Sequence, residues 1–196
     1  MAIDEVMERL GSDSEARNKW VGVYIGILAV LLAVCSVGGG NAAKDATRAN
    51  IEASNTWAFF QAKNIRRQTL RVTIDELEIK LTEPGLAQAT REAITKKIAE
   101  YKATVQRLTS EPDKQEGLDE LFVKAKALEV ERDIALRKDP YFDWSQALLQ
   151  IAIVLASVHL IIGNMPLLAM SGGLGALGIL LMLNGFTLIM RLPFLG

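Results

Sequence analysis

The chain has 196 residues, with 22 basic and 23 acidic side chains, one histidine, one cysteine and a formal net charge of −1. So little net charge offers no field to hold a polyanion, which disfavours a nucleic-acid role, and the lone Cys35 excludes an intrachain disulfide. The average hides a segregation: residues 20–43 and 144–190 contain no Asp, Glu, Lys or Arg, while residues 44–143 hold equal numbers of acids and bases.

Residues 1–19 read as a short amphipathic or polar N-terminal segment. Ile3, Val6, Met7 and Leu10 recur at helical spacing, which predicts an interfacial helix or, failing that, a polar tail. Gly11 is expected to break it, and Ser12 with Glu15 to form a capping box for the next helix.

A bilayer core of about 30 Å needs roughly 20 apolar helical residues, and residues 20–40 qualify as a first span. The residues before it are net acidic, whereas a cleaved signal wants a basic start, so the span is read as retained. Gly22 and Gly26, then Ala29 and Ala33, place small residues four apart, where another helix backbone can approach closely. Cys35 is either a small packing residue there or a reactive thiol, and Gly38-Gly39-Gly40 either a hinge or a flat contact.

From residue 41 to 82 there is neither proline nor glycine. Ala42, Ala46, Ala49, Ala53, Trp57, Phe60, Leu70, Ile74, Leu77 and Leu81 alternate spacings of three and four, the pattern of a coiled-coil arm. Glu83-Pro84-Gly85 ends it. Residues 86–110 and 117–138 predict two further helices, interrupted at Glu111-Pro112-Asp113 and stopped at Asp139-Pro140. At 1.5 Å per residue the first helix reaches roughly 60 Å and the later pair roughly 35 and 30 Å. The chain must leave and re-enter the apolar layer without a long linker, so residues 41–143 predict an antiparallel hairpin with a broken return arm. Residues 144–163 and 167–190 then form two more spans around a turn at Asn164-Met165-Pro166, with Tyr141, Phe142 and Trp144 at the boundary. The fold class expected is all-α, an integral membrane protein with three transmembrane helices and an elongated hairpin between the first two. Lys and Arg near the span ends favour a cytoplasmic hairpin.

Gly173-Leu174-Gly175-Ala176-Leu177-Gly178 spells a dinucleotide fingerprint, but it lies inside an apolar run with no acid downstream. Gly175 and Gly178 instead suit helix packing. His159 sits mid-span, where it can bond a neighbouring helix or line a pore. The densest polar and aromatic cluster runs from Asn55 to Arg67. In it Trp57, Gln61 and Asn64 share one helical face and Phe60, Lys63 and Arg67 another, suited to contacting a partner or another subunit, or to filling the hairpin core.

On Asn55-x-Trp57-Ala58-Phe59-Phe60-Gln61-Ala62-Lys63, and on the layout of one span, a helical region and two terminal spans, the chain resembles an uncharacterised family of bacterial membrane proteins, domain of unknown function 4337. The resemblance covers about residues 15–190 and implies a bacterial inner-membrane protein with no activity to carry over. The sequence implies no cofactor, no metal and no catalytic set, since its histidine and cysteine both fall in apolar runs. Partners expected are the lipid bilayer, further copies of the chain and an unidentified protein, with no nucleic acid. The function expected is a non-enzymatic homo-oligomeric scaffold. An oligomeric channel or mechanosensitive pore, and an adaptor recruiting a cytosolic partner through the hairpin, are the alternatives.

Overall fold

A computed structural model describes the backbone of residues 2–192 and the side chains of residues 18–192. All regular structure among these is helical: α1 is Ala2–Lys80, α2 Gln88–Thr109, α3 Leu118–Ile162 and α4 Met165–Thr187.

The length of α1 follows from its repeat. Val21, Leu28, Cys35, Ala42, Ala49 and Thr56 stand seven residues apart, and every one is buried. Gly39, Ala46, Ala53 and Ile74 belong to a second seven-residue series offset by four, and are buried too. A helix that keeps such a seam presents one continuous stripe to its neighbours. The alanine seam predicted from residue 42 is therefore part of a longer one that starts in the apolar run and is satisfied within the chain.

The expected interruption of α1 at Gly11 does not occur. The helix passes through Gly11, which costs only about 1 kcal/mol relative to alanine, too little to end a helix extended on both sides. Ser12 accordingly lies in mid-helix rather than at a cap. The side chains of Ile3, Val6, Met7 and Leu10 lie outside the described residues. Gly38-Gly39-Gly40 is helical as well.

α3 corrects another expectation, because it does not stop at Asp139-Pro140 but carries Pro140 inside it. Leu121, Leu128, Ala135, Phe142, Leu149 and Ala156 recur every seven residues across the proline, all buried. Proline in a helix interior costs about 3 kcal/mol, and burial of a side chain such as Phe142 or Leu149 offsets roughly 2 kcal/mol each. The predicted return-arm helix and second span are thus one element.

Two compact units divide the chain. The first comprises Met1–Ala46 and Asp133–Gly196. Its core gathers Leu28 and Cys35 of α1, Phe142, Leu149 and Ala152 of α3, and Met182 of α4. Ser145 donates to the Gly178 carbonyl at 2.7 Å and Ser171 to the Ala152 carbonyl at 2.6 Å, joining α3 to α4, while Tyr24 of α1 donates to the Ser171 carbonyl at 3.0 Å. Phe142 is the keystone. Its ring meets Phe186 edge-on at 4.9 Å, and a Cβ placed on Gly38 would lie 2.6 Å from it. Gly38 and Gly39 therefore form a flat contact against Phe142 within an unbroken helix, whereas Gly40 faces open space.

The second unit is Thr47–Arg132. Within it Arg48 pairs with Glu131, Trp57 meets Phe122 and Glu129, Lys63 pairs with Glu116, and Glu78 pairs with Lys102. As numbers rise along α1 they fall along its partners, so α1 runs antiparallel to both α2 and α3 here. The link between those two is held by Glu120, which accepts from Ser110 Oγ at 2.6 Å and from the Glu111 N–H at 3.2 Å. Gly117 is required there, since a Cβ would come within 2.6 Å of the Ser110 backbone.

Candidate functional site

The residues singled out by sequence fall into four places. Gly175 and Gly178 are buried, a Cβ on the first lying 2.9 Å from Tyr24 Oη and on the second 3.0 Å from Leu149. The fingerprint-like run around them is interior helix in α4, without the strand-to-helix loop that phosphate binding requires. Gly22, Gly26, Ala29 and Ala33 behave differently. They are exposed on α1, and nothing lies within 4 Å of a Cβ built at either glycine. Intrachain packing of this segment uses Val21, Tyr24, Leu28 and Cys35 instead.

His159 is 1% exposed. Its Nδ1 lies 2.8 Å from the Asn164 carbonyl oxygen, so the ring donates there as the Nδ1–H tautomer and closes the α3–α4 turn. Gly163, at φ +74, completes that turn by donating to the His159 carbonyl, the left-handed cap that glycine adopts without strain.

The cluster from Asn55 to Arg67 is largely consumed by the second unit. Trp57 packs edge-on against Phe60 at 5.4 Å and Phe122 at 5.6 Å, and its indole N–H donates to Glu129 at 2.8 Å. Lys126 bonds the same carboxylate at 2.8 Å, and these two donors, Lys126 foremost, hold Glu129 below its ordinary value of 4.5. Likewise the Ser110 hydroxyl lowers Glu120. Lys63 serves the Glu116 carboxylate and carbonyl and lies over the Phe59 ring at 4.9 Å. Arg67 donates to Asn64 Oδ1 at 2.8 Å, and its buried Nε has no partner. Gln61 is exposed. Sequence reasoning passed over Phe59, which is 43% exposed and lines a groove of about 750 Å³ with Asn55, Glu116, Val123 and Lys124.

A second cavity, of about 390 Å³, went unnoticed in the sequence because its walls are distant along the chain. Ile134, Arg137 and Tyr141 come from α3, and Leu188, Met190 and Arg191 from the segment after α4. Tyr141 holds that segment, donating to the Met190 carbonyl and accepting from the Leu192 N–H, each at 3.0 Å. Asn184 fixes it from the other side with bonds of 2.8 and 2.9 Å to Met190.

Among the described residues no cluster of His, Cys, Asp and Glu could hold a metal ion. What these features define is an all-helical protein with three helices long and apolar enough, by length and composition, to cross a membrane. The chain belongs to the family described as domain of unknown function (DUF4337), whose model matches residues 17–188. No curated protein and no solved structure matches it.

Proposed function

We propose that the protein is a multi-pass membrane scaffold, without catalytic activity, that self-associates through the outward face of α1. The observation carrying this reading is that face, opposite the buried seam. In the charged unit it bears Ile51, Ala58, Ile65, Val72 and Ile79, spaced by seven, and the four large ones are 54–69% exposed. A helix bathed only in water has polar residues at these positions. In the apolar run the same series continues at Val23, Val30 and Val37, also exposed, and the flank beside it carries Gly22, Gly26, Ala29 and Ala33, which suit close helix contact in lipid. Another copy of α1 supplies a partner with the same repeat, and copies sharing one bilayer run in the same direction. In that parallel register Asp75 approaches Lys80 of the other copy and Gln61 approaches Arg66. The antiparallel hairpin of α1 with α2 and α3 then forms an arm outside the bilayer. The excess of Lys and Arg at its base favours the cytoplasmic side of a bacterial inner membrane.

Mass measurement of the full chain in native lipid should give a defined oligomer. Ile65→Glu combined with Val72→Glu should shift it toward monomer while leaving helicity unchanged, because both side chains are exposed within one chain. A wild-type monomer at all accessible concentrations would refute the scaffold reading.

A second reading, an adaptor, draws on the half-exposed Phe59 in its groove beside Lys63, an aromatic anchor next to a cation. The pore alternative finds less support, since His159 is buried and already bonded to Asn164.

A further inference from the structure

The cavity between α3 and the segment after α4 holds an unusual pair. Arg137 and Arg191 line the same space, with no carboxylate among the described residues that line it. The Arg137 Nε–H is spent on the Asp133 carbonyl at 3.3 Å. Among the described residues neither guanidinium has an acidic partner within salt-bridge distance. Two cations sharing one cavity repel each other, and an anion between them removes that penalty.

The rest of the lining narrows the class of anion. Ile134, Leu188, Met190 and Leu192 are apolar, which a free phosphate or sulfate does not need. Position narrows it further. The second charge-free run begins at residue 144 and ends at residue 190, so both arginines fall at the edge of the candidate spans, where phospholipid headgroups lie. The wall carrying Arg191 is also built rather than loose, tethered through Met190 and Leu192 to Tyr141 and through Met190 to Asn184.

We infer that this cavity binds the headgroup of an anionic phospholipid. The phosphate accepts from Arg137 and Arg191, and the glycerol and first acyl carbons lie along Ile134, Leu188 and Met190. The inference rests on the membrane reading above but not on self-association.

The test is native mass spectrometry of the full chain released from detergent with added phosphatidylglycerol, phosphatidylcholine or inorganic phosphate. Phosphatidylglycerol adducts should outlast phosphatidylcholine adducts. Arg137→Gln and Arg191→Gln should each lower phosphatidylglycerol retention about fivefold, the effect of one cation near a lipid surface. Arg107→Gln, a change in the other unit at a residue that does not line the cavity, should leave it unchanged. Equal loss with Arg107→Gln would mean diffuse charge attraction, displacement by millimolar phosphate would mean a free-anion site, and no loss with either cavity variant would mean no site. Each of these overturns the proposal. Circular dichroism of the variants separates loss of lipid from loss of fold, and purification of the wild-type chain without detergent would instead sink the membrane reading beneath it.

Discussion

Glycine 38 and glycine 40 are two residues apart on one helix, yet they do different things. A Cβ on Gly38 would lie 2.6 Å from the Phe142 ring, whereas nothing stands within 4 Å of one on Gly40. Gly38→Ala should therefore destabilise the protein by about 1–3 kcal/mol through overpacking. Gly40→Ala should be neutral or gain up to about 1 kcal/mol of helix propensity. Thermal unfolding in one detergent compares the pair, and equal losses would remove the role given to Phe142. The glycine run was plain in the sequence, but which glycine faces a neighbour depends on α3, more than one hundred residues away. For the same reason Phe142 looked like a boundary aromatic beside Trp144. Only Trp144 is outward, at 57% exposed, while Phe142 is 1% exposed. Lys63 and Arg67 were readable as a charged face, but their commitments to Glu116 and Asn64 were not.

At the level of elements, helix content and most helix ends were legible, because apolar spacing and the breaks at Pro84 and Pro112 agree locally. The errors came from reading every breaker as a stop. Gly11 and Pro140 are both helical: about 1 kcal/mol at a glycine does not end a helix, and at Pro140 a local preference of a few kcal/mol yields to the stripe buried on both sides of it. The series from Leu121 to Ala156 was available in the sequence and spans Pro140, and following it would have predicted one helix. Removing the ring should then help: Pro140→Ala restores one backbone hydrogen bond and is expected to stabilise the protein, by up to about 3 kcal/mol. A lowered melting temperature would mean that the proline's local geometry is itself needed by Tyr141 and Phe142.

On the scale of the molecule, the two compact units coincide with the two kinds of composition. Thr47–Arg132 draws on charged, amphipathic helices, and the other unit holds the apolar runs. The segment 47–132 expressed alone should be soluble without detergent and remain helical, with sedimentation showing reversible self-association through Ile51, Ile65, Val72 and Ile79. An unfolded segment would show that its helices depend on the remainder of the chain. Segregation of charge made this division legible, whereas the cavity of Arg137 and Arg191 was not, because its halves meet only after folding. The seat of Phe142 carries one more implication. Gly38 of α1 and Gly185 of α4 both leave room for the same ring, a Cβ on each coming within 3.1 Å of it. Three separate stretches of the gene are thus bound to a single choice. Bulk gained at either glycine is best tolerated alongside a smaller residue at position 142, so drift here favours paired exchange, and a suppressor of one change will be found in another helix.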